Sequence, residues 1–202
     1  MIDNCEKISH LTDESFPHDW QAEVLQAPPL IGPSRQYIYP QAVEEVERGA
    51  LLALVRPGQN DQPFLATFAR GFADPSLPHG IWSCPNPNEL CAVAGGYAYV
   101  VEADCPERWQ QVPYRPVISI HSVPAAALLV FSGFHTLWAL GKTGRTWETG
   151  RLSWEGIRIV AIEGEKLHGF GWDLHTDSEV PFIVDLATGT HIGGVDFRQR
   201  QH

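Results

Sequence analysis

The sequence has no hydrophobic run long enough to cross a membrane as a helix. Its longest apolar run, residues 125–131, has the length of a strand, whereas a spanning helix needs about 18 apolar residues. The beginning of the sequence also lacks the basic stretch followed by an apolar stretch that marks a secretory signal. We therefore expect a cytoplasmic protein that does not bind membranes.

Basic residues are scarce, since 14 Lys and Arg stand against 24 Asp and Glu, which gives a formal net charge of -10. Nucleic-acid phosphates and anionic lipids both require a basic surface. The composition therefore argues against nucleic acid as a partner.

Acidic residues are especially dense near the start of the chain, and we expect residues 1–25 to form an acidic, loosely ordered leader that could act as an interaction tail.

Cysteines are few, and no two of the four are spaced as C-x-x-C: Cys5, Cys84, Cys91 and Cys105. This spacing disfavours a zinc finger. The sequence also lacks any N-x-[ST] glycosylation acceptor. Reduced thiols in a cytoplasm are the simplest interpretation. A chain of 202 residues can bury a sizeable core without disulfides or metal, so the sequence requires no cofactor.

A period of 38 residues runs through the second half of the sequence. Gly95, Gly133 and Gly171 follow one another at this spacing, as do Trp109 and Trp147. Each unit contains short runs of Val, Ile, Leu, Phe and Trp separated by turns with glycine, which is typical of strands. Four antiparallel strands in about 40 residues form one blade of a β-propeller.

The clearest unit, residues 128–147, contains a strand, a glycine turn, a second strand, a Thr143–Gly144 turn and a strand that bears Trp147. In this order it resembles the blades of quinoprotein-type propellers. The resemblance covers about residues 89–194 and concerns the fold alone. The first of these units lacks the Thr-Gly turn and the third lacks the tryptophan, so the resemblance implies no particular cofactor.

We therefore predict an all-β, propeller-like fold of three to four units of about 38–45 residues, either an open meander or a closed ring. One repeat domain is expected over residues 26–202, with three clear units over 89–194 and a divergent first unit over 35–75. Within that first unit, Pro40 and Gly49 favour a short helix. Prolines across residues 72–87 predict a loop that cannot continue a strand ladder.

Three turn residues, Tyr97, His135 and Asp173, occupy equivalent positions of the repeat. In a propeller such turns converge at one end, which is where ligands usually bind by analogy with the fold. His135, Asp173, His175 and Asp177 offer imidazole and carboxylate groups, which suit a divalent metal ion or acid–base chemistry. The alternative is that residues 173–179 form a solvated insertion whose side chains contact nothing.

Tryptophan is abundant, with seven residues. Four of them fall on strand positions of the repeat and are expected in the core: Trp109, Trp138, Trp147 and Trp154. Trp82 and Trp172 lie in predicted loops and could floor a pocket for a sugar or a peptide; alternatively, both anchor their loops over the core. Arg145, Arg151 and Arg158 are interpreted as cross-strand partners of nearby glutamates.

No nucleophile, zinc-protease or dinucleotide motif is present in the sequence. The favoured hypothesis is an intracellular binding or interaction domain for a protein or small-molecule ligand that the sequence does not identify. The alternative is a metal-dependent, hydrolase-type enzyme that uses the His/Asp group on the turn face. A purely structural assembly subunit is a third possibility.

Overall fold

The computed structural model of the chain is built almost entirely of β strands. It describes residues 11–40, 49–58 and 62–195. In this part of the chain, the remaining regular element is a 3-10 turn at Pro124–Ala126. The strands, in chain order, are β1 Leu11–Asp13, β2 Gln21–Leu25, β3 Arg35–Tyr39, β4 Leu51–Arg56, β5 Phe64–Phe68, β6 His79–Ser83, β7 Glu89–Ala94, β8 Tyr97–Glu102, β9 Trp109–Gln111, β10 Ser119–Val123, β11 Leu128–Ser132, β12 Leu137–Gly141, β13 Gly144–Glu148, β14 Ile157–Glu163, β15 Lys166–Asp173, β16 Ser178–Asp185 and β17 His191–Gly193.

The strands form four sheets. The first sheet has the order β2-β4-β5-β3 and the second the order β1-β6-β7-β8-β9. The third sheet, β10 to β13, and the fourth, β14 to β17, are antiparallel meanders whose strands lie in chain order. Two pairs are parallel, β1 with β6 and β3 with β5. The prediction of an all-β, propeller-like fold is confirmed.

Three hydrophobic cores lie between successive sheets. Each core draws large side chains from the two sheets that face it: Phe64 and Tyr99 in the first, Cys91 and Phe131 in the second, Trp147 and Phe182 in the third. Among the described residues, no further core joins the fourth sheet back to the first. The sheets therefore form an open stack, the meander form of the predicted fold.

The third sheet is buried on both faces. In β11, Leu129 and Phe131 pack in the second core, whereas Leu128 and Val130 pack in the third. A strand covered on both faces has a continuous apolar run rather than an alternating pattern, which explains these four residues. In the fourth sheet, at the end of the stack, β15 instead alternates between buried and partly exposed side chains.

The beginning of the described chain is part of the core, contrary to the expected loose leader. Residues 11–25 contain β1 and β2, and the side chains of Phe16 and Trp20 are only 4% and 2% exposed. The Trp20 indole Nε1 donates a hydrogen bond to the carbonyl oxygen of Glu89. The acidic composition indicated a solvated segment, but these two aromatic side chains bury it against the sheets. Residues 1–10 lie outside the described residues.

The proline-rich segment 72–87 contains a strand, so the prediction of an uninterrupted loop is wrong. β6 runs from His79 to Ser83 and pairs along its whole length with β7. The prolines flank this strand instead of interrupting it, and they therefore do not remove a donor from its ladder. Its Trp82 is 4% exposed and belongs to the second core.

The remaining local predictions have mixed outcomes. β4 and β5, within the divergent first unit, pair antiparallel. Gly95 and Gly133 directly follow β7 and β11, but Gly171 lies inside β15, because that strand continues to Asp173. The helix predicted over residues 40–49 falls largely on residues 41–48, outside the described residues. In the described part of the chain, no helix is long and apolar enough to span a membrane.

Candidate functional site

The turn between β11 and β12, residues 133–136, is fixed to the loop that follows β13. The Leu152 amide donates to the His135 carbonyl oxygen at 2.8 Å, and the Gly156 amide donates to that of Phe134 at 3.0 Å. The His135 ring lies with Nδ1 3.2 Å from the carbonyl oxygen of Ser153. Since a carbonyl oxygen only accepts, the proton is on Nδ1. Main chain and ring are therefore both held in place.

A cavity of about 320 Å³ lies where this turn meets the segment before β10. It is lined by residues 114–116, residues 133–136 and Arg151. The Phe134 side chain is 45% exposed. Loops of the second and third sheets thus line a half-open space at the small end of the range that small-molecule pockets occupy.

A chain of hydrogen bonds fixes one wall of the cavity. The Thr136 hydroxyl donates to the Tyr114 hydroxyl oxygen at 2.6 Å, and the Tyr114 hydroxyl in turn donates to Glu148. Arg145 pairs with the same Glu148 carboxylate at 3.2 Å. Burial, and then the hydrogen bond to Glu148, raise the pKa of Tyr114, so its phenol stays neutral. A Cβ on Gly133 would lie 3.0 Å from the Tyr114 ring, so glycine permits this close approach.

Both arginines of the cavity stack on aromatic rings. The Arg115 guanidinium lies 5.0 Å from the centroid of the Tyr97 ring and donates to the Gln111 side-chain oxygen. The Arg151 guanidinium lies 4.7 Å from the centroid of Trp154. Cation–π contacts of this kind orient a guanidinium without neutralising its charge. The two cationic groups are therefore pre-positioned at the cavity.

These stacks connect the turns of three successive sheets. Tyr97, which supports Arg115, follows the turn of the second sheet. Trp154 contacts the His175 ring, with 6.2 Å between centroids, and its amide donates to the Trp172 carbonyl oxygen. Contacts thus run from Tyr97 past the cavity to the turn after β15. The turn face therefore contains a cavity. That ligand-binding residues lie on this face stays a prediction.

Asp173 and His135, two of the four predicted metal ligands, are hydrogen-bonded on different loops. Asp173 accepts hydrogen bonds from the His175 amide and the Thr176 hydroxyl, which lower the pKa of its carboxyl group. His135 is bonded to the Ser153 carbonyl oxygen, on another loop. Over residues 11–40, 49–58 and 62–195, no three His, Cys, Asp or Glu side chains are grouped to hold a metal ion. His135, Asp173, His175 and Asp177 therefore do not assemble as the predicted metal site.

The two tryptophans proposed to floor a pocket do not line this cavity. Trp82 is a core side chain of β6. Trp172 lies in β15, partly buried and directly opposite Glu179 of β16. Its backbone contacts the loop after β13: its carbonyl oxygen accepts from the Trp154 amide, and its amide donates to the Ser153 hydroxyl oxygen.

A second cavity, of about 340 Å³, lies over the second sheet near β8 and β9. Its lining includes three carboxylates: Glu89, Glu102 and Glu107. Burial raises the pKa of Glu89, whereas a hydrogen bond from Tyr37 lowers that of Glu107. This cavity is bounded by one sheet and its loop, so it does not join separate sheets as the first one does.

Sequence reasoning identified His135 but not Tyr114, Arg115 or Arg151. Tyr114 and Arg115 lie between β9 and β10, in a connection without a repeat signal. Arg151 was interpreted with Arg145 and Arg158 as a cross-strand partner of a glutamate. Arg158 does pair with Glu179 of another strand, and Arg145 pairs with Glu148 of its own strand. Arg151 instead lies in the loop after β13 and lines the cavity.

No protein-family model and no curated protein matches the chain. Among solved structures it is similar to hydrazine synthase of Kuenenia stuttgartiensis, with 11% identity and a TM-score of 0.26 over 57% of this chain and 48% of that one. It is also similar to the N-terminal domain of Nup159, with 12% identity and a TM-score of 0.37 over 94% of this chain and 54% of that one. The chain spans about half the length of each. Because both TM-scores are low, the propeller-like description rests on the four stacked sheets.

Proposed function

We propose that this protein is an intracellular binding domain that holds a small molecule in the cavity between residues 114–116 and the turn 133–136. The observation that supports the proposal is the cavity itself, which has a volume of about 320 Å³. Phe134 and Pro116 supply apolar surface, and Thr136 and the arginines supply polar groups. Ligand pockets commonly combine an apolar wall with a few fixed polar groups.

The rigidity of the walls favours binding. The Phe134 and His135 carbonyl oxygens are both hydrogen-bonded to the loop after β13, and Tyr114 is held by Thr136 and Glu148. Groups that are already in place lose little entropy when a ligand arrives. The free thiols of Cys84 and Cys91 suit a reducing compartment, which is why we place this function inside the cell.

The experiment is a fragment screen by NMR on the 15N-labelled full chain. We expect fragments with dissociation constants of about 0.1–10 mM, whose shifts concentrate on the amides of residues 133–136 and of Arg115. Phe134→Ala should weaken their binding at least ~5-fold, because it removes apolar wall area. Phe170→Ala is the matched control, since it removes a phenylalanine of the fourth sheet that does not line the cavity.

The proposal is overturned if the fragments that bind shift residues elsewhere in the chain. It is also overturned if Phe134→Ala and Phe170→Ala weaken binding equally. The spectrum of each variant shows whether it is folded before its affinity is compared.

A further inference from the structure

The lining of the cavity carries positive charge in an acidic protein. Arg115 and Arg151 belong to the lining, and no Asp or Glu does. The whole chain, by contrast, has a formal net charge of -10. The cavity is therefore a local exception to the charge of the molecule.

Arg115 differs in its partners from four other arginines of the surface. Its described contacts are the amide oxygen of Gln111 and the ring of Tyr97, both neutral groups. Four other arginines each pair with a glutamate: Arg56, Arg108, Arg145 and Arg158. The charge of Arg115 is thus positioned at the cavity without being neutralised by these two contacts.

The carboxylate that approaches the cavity wall is engaged on two sides. Glu148 accepts the hydrogen bond of Tyr114 and pairs with Arg145 at 3.2 Å. Its charge is therefore balanced by Arg145, outside the cavity lining. Arg115 and Arg151 are the arginines that line the cavity and that a ligand there would meet.

We propose that the ligand is a small organic anion whose carboxylate or phosphate group binds Arg115 and Arg151. This inference rests on the proposed function. Planar guanidinium groups present two parallel N–H donors, which match the oxygen atoms of carboxylate and phosphate. The apolar part of the anion packs on Phe134 and Pro116, which line the same space. The site therefore selects anions with an apolar body over bare inorganic ions.

The test compares three probes of similar shape on the 15N-labelled full chain: benzoate, phenyl phosphate and the neutral benzamide. We expect at least one of the two anions to bind at least ~10-fold more tightly than benzamide, as charge-assisted hydrogen bonds require. The preferred anion distinguishes a carboxylate ligand from a phosphate ligand. Shifts should appear at the amides of residues 133–136.

Substitution of the arginines tests their roles separately. Arg115→Gln and Arg151→Gln should each weaken anion binding at least ~10-fold and leave benzamide within about twofold. Arg158→Gln is the control, because it removes the same charge from the fourth sheet, where Arg158 lies over Phe170. If one cavity variant fails to fold, the other variant still tests the inference. The ratio of the wild-type affinities for anion and benzamide tests it as well.

The outcomes separate this inference from the proposed function. Equal affinity for benzamide and both anions at residues 133–136 overturns the anion inference and supports binding in the cavity. No shift with either anion up to about 20 mM also overturns it, while the fragment screen decides the proposed function independently. If Arg158→Gln weakens anion binding as much as Arg115→Gln does, binding depends on the overall charge of the protein. That result also overturns the anion inference.

Discussion

The indole Nε1 of Trp147 donates a hydrogen bond of 2.6 Å to the carbonyl oxygen of Leu186. Trp147 lies in β13 of the third sheet, and Leu186 directly follows β16 of the fourth. The ring is 6% exposed and belongs to the core between these two sheets. Gly189, with φ +71, lies so close that a Cβ there would be 2.8 Å from the Trp147 ring. One side chain thus joins two sheets through both packing and a hydrogen bond.

Replacement of Trp147 should separate these two contributions. Trp147→Ala should lower the free energy of unfolding by about 3–5 kcal/mol, because it leaves a large cavity in the core. Trp147→Phe keeps most of the apolar contact and should lose about 1–2 kcal/mol, chiefly the hydrogen bond. Denaturant unfolding measures both. A loss below about 1 kcal/mol for the alanine variant would show that this core contributes little.

Trp20 tests whether the acidic beginning of the chain belongs to the core. Its side chain is 2% exposed, and its Nε1 lies 3.1 Å from the carbonyl oxygen of Glu89. Trp20→Ala should lower the free energy of unfolding by about 3–5 kcal/mol and expose nearby bonds to proteases. Wild-type stability in this variant would restore the loosely ordered leader that the sequence indicated.

The fold was predictable where its contacts are local. The spacing of Gly95 and Gly133 marks hairpins whose strands are neighbours in the chain. The meander of the third sheet can therefore be predicted from one short segment of sequence. The contact of Trp20 with Glu89 joins residues that lie 69 positions apart in the chain. No local sequence pattern predicts such a contact. β6 was missed because prolines on both sides of a strand give the same composition as prolines within a loop.

The buried cysteines should resist alkylation in the folded protein. Cys84 and Cys91 are fully buried, and burial raises the pKa of both thiols, so little reactive thiolate forms. Cys105 is partly exposed. Treatment with iodoacetamide at about pH 8 should label Cys105 at least ~100-fold faster than Cys84 and Cys91, as measured by peptide mass mapping. Equal labelling in denaturant is the control, and equal labelling in the native state contradicts the prediction.

The stability of the protein should fall as the pH drops through the range where histidine titrates. Burial lowers the pKa of His121 below its ordinary value near 6.5. The unfolded chain therefore binds a proton more readily than the folded protein, and protonation favours unfolding. The contribution of His121 is fully present above about pH 6.5 and is lost as the pH falls towards the lower folded value. Glu89, whose pKa burial raises, contributes in the opposite direction at lower pH.

A variant without His121 separates the effect of this histidine on the pH dependence of stability from the effects of the carboxylates. We expect the free energy of unfolding of His121→Gln to depend less on pH than that of the wild type between about pH 5.5 and 7.5. Denaturant unfolding at several pH values gives both curves. Parallel curves would show that His121 does not titrate differently in the folded and unfolded states.

The candidate site was predictable in part, for a physical reason. His135 lies in a hairpin turn whose position follows from the repeat, so its place on the turn face could be predicted. Arg115 and Arg151 lie in connections between sheets, 36 residues apart in the chain. They reach one cavity because the second and third sheets stack, and the loop after β13 returns to the β11–β12 turn. Such proximity depends on packing between sheets, which sequence periodicity does not encode.

The parallel pairing of β1 with β6 has a consequence for synthesis of the chain. Thr12 lies opposite Ile81, so the whole first sheet is encoded between two adjacent strands of the second. As the protein leaves the ribosome, β1 emerges first and has no strand to pair with until β6 follows. The last strand of the first sheet, β5, ends at Phe68, before β6 begins at His79. When Phe68 has left the ribosome and His79 has not, all the strands of the first sheet can pair while β1 still lacks its partner.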